Sequence, residues 1–226
     1  LRPQVESGEW PRVTAHLGVR FTEDGGRLVV ASVIPGGPAD REASRLEVGD
    51  VIVSAGGVEV KTPSDLLPVL NGRPGQRIEV VVERSGEKLD PLQVPSISYS
   101  AARRLKKIAW VEANRREVER RSDGRFGYLY VERMMWDEFE NFEREVYAVG
   151  AGKDGIVIDV RDNGGGFTAD HLLTVLTPPE HAVTVPRGGG AGYPGDRRVY
   201  GTWGKPIVVL CNQNSFSNAE IFSHAV

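Results

Sequence analysis

Two rhythms of apolar and polar positions divide the chain. From His16 to about Val94, short apolar runs (Leu17–Phe21, Leu28–Val33, Val51–Val53, Ile78–Val82) alternate with the glycine turns "EDGG", "PGGP" and "SAGG". That pattern predicts a small, mostly-β unit with tight turns. Two helical pieces fit between the runs. One is "PADREASRL" at 38–46; the other is "TPSDLLPVL" at 62–70, with Thr62 as N-cap and Pro63 at the first helical position. Residues 1–15, polar and holding Pro3 and Pro11, read as a lead-in, and Pro91, Pro95 and the small polar residues of 96–100 as a linker.

The second half alternates longer elements. A helix is expected over 101–121, then strand 126–131, helix 136–150, strand 155–160, helix 168–176, strand 206–210 and a final helix from Ser217. Strands alternating with helices predict an α/β core with a largely parallel sheet built from βαβ units. The unbroken apolar run Ile156-Val157-Ile158 fits a strand buried on both faces. Residues 177–204 form a long Gly/Pro-rich connection, a length usually associated with function or mobility. The last helix still has apolar positions to cover at Val226 and reads as a helix cut in mid-course.

Composition adds limits. The 226 residues are 40% hydrophobic and 26% charged, an ordinary globular balance that can bury a sizeable core. The net charge of −3 favours neither nucleic acid nor an acidic membrane surface. The helix at 101–121 carries eight Lys/Arg against three Glu and is read as a solvated face rather than a nucleic-acid site. One cysteine, Cys211, excludes an internal disulfide and a cysteine-rich zinc site, and its place at the end of an apolar run predicts a buried thiol. No metal, no cofactor and no membrane partner is expected, and the chain shows neither a signal peptide nor an apolar stretch long enough to span a bilayer.

In open parallel sheets, sites form where loops leave the carboxyl ends of the strands. Two loops qualify: "RDNGGG" at 161–166 and "CNQNSFSN" at 211–218. Three glycines allow positive φ and close backbone approach, and a helix N-terminus offers unpaired N–H groups, so together they could hold an oxyanion beside Ser217. Ser217-x-x-Glu220 is equally the signature of a capping box, and Ser215 offers a second hydroxyl in the same turn. A serine nucleophile needs a base. His224 lies seven residues on, about 10 Å along the same helix and out of reach. His171 sits within a helix, His181 in the long connection and His16 in the first unit. No lysine follows Ser217.

These motifs resemble a known family. "LEVGDVIVSAGGVEV" (46–60) looks like the core of a PDZ domain. "WVEANRREVERRSDGRFGYLYV" (110–131), "GIVIDVRDNGGGF" (155–167) and "PIVVLCNQNSFSNAEIFS" (206–223) resemble the tail-specific serine proteases, nearest to their tricorn branch. The resemblance implies a lead-in at 1–15, a PDZ domain at 16–95, a linker and basic helix at 96–124, and at 125–226 an α/β protease core that is incomplete at its C-terminus. It implies Ser217 as nucleophile, with oxyanion donors in the backbone N–H of Asn218 and of Gly165 or Gly166. It places the histidine base before the PDZ domain and an acidic partner beyond the nucleophile, so the chain reads as part of a longer enzyme. The expected partner is a peptide or protein substrate, added as a strand near Leu17-Gly18-Val19 or gated by the PDZ domain. A homo-oligomer and a cytoplasmic rather than periplasmic setting are also expected. The competing expectation is a non-catalytic peptide-binding module on the same fold.

Overall fold

The computed structural model describes residues 13–177, 182–190, 193–195 and 201–226. The chain divides into two compact units, Leu1–Trp110 and Val111–Val226.

The first unit is mostly β. Its strands are β1 (Ala15–His16), β2 (Val19–Asp24), β3 (Arg27–Val33), β4 (Val51–Ala55), β5 (Val58–Glu59), β6 (Arg77–Arg84), β7 (Glu87–Lys88), β8 (Leu92–Pro95) and β9 (Ile97–Ser98). A seven-stranded antiparallel sheet runs β2-β3-β4-β6-β7, with β5 on β4 and β8 on β6, while β1 pairs with β9. Alternate residues of β3 and β6, Leu28 and Val30, Ile78, Val80 and Val82, turn into one core, as period-two patterning requires. The "GD" of the most recognisable motif has a specific task. Gly49 turns at φ +98°, and the buried Asp50 carboxylate receives the Glu47 N–H at 2.7 Å and Arg84 Nε and Nη2 at 2.7 and 2.9 Å. Three charge-assisted bonds offset the cost of burying that carboxylate.

The short helix follows the N-cap reading. A 3₁₀ turn at Pro63–Leu66 continues into α1 (Leu67–Leu70), and the Asp65 carboxylate receives the Thr62 N–H at 2.8 Å. The expected helix at 38–46 is instead two single 3₁₀ turns, Pro38–Asp40 and Glu42–Ser44. Here side chains satisfy the backbone locally: Ser44 Oγ donates to the Pro38 carbonyl at 2.6 Å, and Asp40 accepts the Gly36 N–H at 2.8 Å. Such bonds compete with a helical ladder. The stretch read as a linker is also structured, since Pro95 ends β8, Ser96 is buried, and Ile97–Ser98 pairs with the first strand.

Helix α2 (Tyr99–Arg121) crosses the boundary between the units. Only Ala102 on it is buried, and Glu117 is held at about 2 by Arg120 and Arg121. The second unit then runs β10 (Phe126–Tyr130), α3 (Trp136–Gly150), β11 (Gly155–Asp159), α4 (Ala169–Leu176), β12 (Ala182–Thr184), β13 (Tyr193–Gly195), β14 (Ile207–Leu210) and α5 (Asn218–Ala225). Its main sheet, β10-β11-β14, is parallel at both junctions. Phe139, Phe142 and Val146 of α3, Leu172 and Val175 of α4 and Phe222 of α5 bury against Leu129, Ile156 and Ile158. Each such large side chain contributes about 2 kcal/mol. Helix α3 comes so close to β10 that a Cβ on Gly127 would stand 2.4 Å from the Val149 carbonyl oxygen.

The fold class is therefore as expected, with three local differences in this unit. The second face of the sheet is covered over Tyr128, where Asn114 of α2 reaches its hydroxyl at 3.3 Å, but Val208 on β14 is 58% exposed. Cys211 is exposed, because it lies one residue past the last ladder pair, Asp159 with Leu210, where the chain leaves the sheet. Of the long connection, β12 and β13 pair antiparallel, and the chain is tied back to α3 by Gly201 N–H on Glu143 at 2.9 Å and Thr202 N–H on the Tyr147 hydroxyl at 2.8 Å. Among the described residues, no helix is long and apolar enough to cross a membrane.

Candidate active site

The two loops singled out in the sequence leave the carboxyl ends of the paired strands β11 and β14 and are fastened to each other. Phe216 N–H donates to the Asn163 carbonyl at 2.9 Å, and Ser215 Oγ donates to the Val160 carbonyl at 2.8 Å while accepting the Asn212 N–H at 3.0 Å. Asp162, in the left-handed region at φ +61°, accepts Nδ2 of Asn212 and of Asn214 at 3.1 and 2.7 Å. The fully buried Asn163 is the hub. Its Nδ2 donates to the Val131 carbonyl at 3.0 Å, and its Oδ1 accepts the Gly165 N–H at 2.8 Å. Asn218 joins the two helices through Oδ1, which accepts the Ala169 N–H at 2.7 Å at the start of α4.

Ser217 stands at the strand-to-helix turn with φ 56° and ψ −120°, a conformation that costs a non-glycine residue about 1–3 kcal/mol. Its N–H donates to Glu220 Oε2 at 2.7 Å, closing the return half of a capping box. In the forward half the Glu220 N–H faces the Ser217 side chain, and it also makes a 2.9 Å bond to the Ser217 carbonyl. Against this turn lies Gly165, at φ +90°, where a Cβ would stand 2.8 Å from Ser217 Cβ and 3.1 Å from Asn218 N. Gly166 is pressed on the other side: its Cβ would fall 1.9 Å from the Met134 carbonyl oxygen.

The backbone donors can be sorted. The Gly165 N–H is taken by Asn163. Met134 N–H bonds the Gly165 carbonyl at 3.0 Å, and Phe167 N–H bonds the Met134 carbonyl at 2.7 Å, a parallel bridge about Gly166. In such a bridge the central residue's own N–H points away from the partner. Asn218 N–H belongs to the first turn of α5, where N–H groups lack helical acceptors.

Beneath the glycine loop lies a charged network that the sequence reading missed. Asp159, fully buried, accepts Tyr128 Oη at 2.7 Å, Arg161 Nη2 at 2.6 Å and Arg161 Nε at 3.0 Å. Burial first, and the adjoining carboxylate second, push the Tyr128 phenol well above its ordinary range, and the bond to Asp159 keeps Arg161 protonated. Tyr130, bonded to the Arg161 carbonyl at 3.3 Å, is pushed up to about 12 by burial and by the nearby charges of Glu132, Asp159, Asp162 and Glu138. The only sequence signal for this network was an Asp and an Arg flanking the end of an apolar strand.

The described histidines are dispersed. His171 packs edge-on to Trp136, with ring centroids 4.9 Å apart, His224 lies exposed in the last turn of α5, and His16 belongs to the first unit. His181 lies outside the described residues. Among the described residues, no histidine or lysine makes a hydrogen bond to the Ser217 hydroxyl, and no group of three or more His, Cys, Asp or Glu is arranged to hold a metal. In the first unit, Leu17 and Val19 are buried, Gly18 N–H donates to His16 Nδ1 and its carbonyl accepts Ile34 N–H, both at 2.8 Å. Leu17 and Gly18 lead into β2, which Val19 opens and which is at the edge of its sheet.

Residues 15–91 match the PDZ domain and residues 125–226 match peptidase family S41. The chain's similar proteins include tricorn proteases. It is 24% identical over 225 residues to the tricorn protease of Thermoplasma volcanium, covering 96% of this chain and 21% of that protein. Tricorn protease homolog 1 of Streptomyces coelicolor is 30% identical over 184 residues, or 80% of this chain and 16% of that protein. The crystal structure of a tricorn protease superposes on 94% of the chain, and on 21% of its own, with a TM-score of 0.71 at 26% identity. The chain spans 16–21% of the length of these relatives.

Proposed function

We propose that the chain serves a serine peptidase that cleaves peptides by acyl transfer, with Ser217 as nucleophile. The observation that carries this is the turn at Ser217, a left-handed non-glycine residue between a parallel strand and a helix, with Gly165 packed on its Cβ. Strained turns of this kind present a serine hydroxyl at the top of a sheet. In the first step Ser217 Oγ attacks the scissile carbonyl carbon, its proton passes to a base, and the carbonyl oxygen takes the negative charge. The Asn218 and Gly166 N–H groups hold that charge; Gly165 is left out because its N–H already serves Asn163. Collapse expels the amine with a proton, and water then releases the acyl group. One oxyanion donor is worth about 3–4 kcal/mol of barrier.

The PDZ domain presents or gates the substrate, with the free edge of β2 as the place for strand addition. A non-catalytic peptide binder is the second reading, favoured by the lack of a histidine or lysine bonded to the Ser217 hydroxyl among the described residues. Peptide turnover by the native protein and its Ser217→Ala variant separates the two. Loss of turnover with peptide binding retained supports the peptidase; equal turnover in both proteins removes Ser217 from the chemistry, and binding without turnover in either supports the binder.

A further inference from the structure

The place proposed for strand addition already holds a side chain. The Gly18 N–H donates to His16 Nδ1 at 2.8 Å, and Gly18 stands immediately before Val19, where the edge strand β2 begins. Gly18 lies in the left-handed region at φ +83°, and a Cβ there would meet Pro38 Cδ at 2.7 Å. Pro38 thus closes one side of the loop, and the imidazole covers its amide. Because Nδ1 accepts, the neutral ring carries its proton on Nε2. Protonation adds a hydrogen to Nδ1, and two donors then face each other with no acceptor between them. A carboxylate resolves this, since its two oxygens can accept one hydrogen bond from each donor.

Charge around the ring has one sign. His16, on β1, pairs with Ile97 of β9 and meets the edge of Tyr99 of α2, with ring centroids 5.1 Å apart. Lys106, about two turns further along α2, is exposed and makes no ion pair among the described residues. Burial first and the Lys106 charge second hold the imidazole below its ordinary 6.5, and no carboxylate is among the groups that act on it. Direction then matters for a strand added to β2. A peptide laid antiparallel ends its chain beside Gly18, whereas one laid parallel starts there. The first brings a carboxylate toward His16 and Lys106, the second an ammonium that Lys106 and a protonated His16 repel.

We infer that His16 gates the strand-addition site: neutral, its Nδ1 occupies the Gly18 N–H; protonated, it releases that N–H and, with Lys106, holds the terminal carboxylate of a peptide lying antiparallel to β2. This presupposes the strand addition proposed above, and adds to it a direction, an end group and a dependence on pH.

The test uses acetyl-Val-Ala-Val as the free acid and as its C-terminal amide, each titrated into the protein and followed by the amide NMR signals of β2 and the ring signals of His16. The acid is expected to bind roughly tenfold more tightly at about pH 5 than at about pH 8, where the peptide carboxylate is charged throughout. Saturating acid should raise the His16 pKa by about one unit, the same linkage read from the other side. The amide should bind without that pH dependence and leave the His16 pKa where it is. His16→Phe, which neither accepts the Gly18 N–H nor takes a proton, should bind the acid equally at both pH values. Lys106→Gln, a change at an exposed position, should weaken binding of the acid and leave that of the amide unchanged. An acid whose affinity is the same at both pH values, an unmoved His16 pKa, or an amide with the same pH dependence would overturn the gate while leaving strand addition standing. No shift along β2 with either compound at either pH would remove strand addition, and the gate with it.

Discussion

Gly165 and Ser217 are in direct backbone-to-side-chain contact: any Cβ on Gly165 would stand 2.8 Å from that of the serine and 2.7 Å from the Phe216 carbonyl oxygen. Two loops separated by some fifty residues are thereby set within one van der Waals layer, and the hydrogen bonds of Asn163 and Ser215 lock that approach.

Gly165→Ala combines a left-handed φ with two contacts too short to keep, to the Phe216 carbonyl oxygen and the Ser217 Cβ, and a tight one of 3.1 Å to Asn218 N. We expect a loss of about 2–4 kcal/mol in unfolding free energy by chemical denaturation. A variant as stable as the parent would mean that the loops can part without cost.

Strain at Ser217 is separable from its chemistry. Ser217→Gly should be more stable than Ser217→Ala by about 1 kcal/mol, since glycine occupies φ 56° freely and alanine does not. Both should be inactive. Equal melting temperatures would place no strain at this turn.

The Asp159–Arg161 pair should behave as a unit. Asp159→Asn leaves the Arg161 charge half-satisfied in a partly buried site, and we expect a cost of about 2 kcal/mol, below the value for a fully enclosed pair because Arg161 keeps 34% of its side chain exposed. Arg161→Met should cost a similar amount, and the double variant less than the two together. Strict additivity in that cycle would show that the two side chains are not coupled.

Stability of the first unit should depend on His16. Burial, with Lys106 adding to it, lowers its pKa below the ordinary 6.5, while Nδ1 accepts the Gly18 N–H. The unfolded chain then binds the proton more readily than the folded one, so the contribution is complete above pH 6.5 and is lost as pH falls from 6.5 through the lower folded value. His16→Asn should flatten that part of the pH–stability curve; an unchanged slope would assign it to other groups.

Much of this was legible in the order of residues. Periodicity placed α3 and the three parallel strands closely, because Phe139, Phe142 and Val146 recur on one helical face and β11 runs apolar from Ile156 to Ile158. The turn chemistry of Thr62-Pro63 was equally readable. What failed were places where side chains override local propensity. Ser44 and Asp40 divert 38–46 from a helix, and the strand pairing of Ile97–Ser98 depends on Ala15–His16, far away in sequence. Cys211 followed an apolar run but stands just beyond its last ladder pair. In the candidate site the glycines and Ser217 stood out by type, whereas the sorting of Gly165 from Gly166 needed the bridge to Met134, which no local pattern encodes.

Covalent labelling of the native protein with a fluorophosphonate, read by intact mass and peptide mapping, tests Ser217 as nucleophile most directly. A single adduct on Ser217, absent from Ser217→Ala and reduced by Gly166→Ala, is the expected result. An adduct on Ser215, or no adduct while peptide turnover persists, would contradict it.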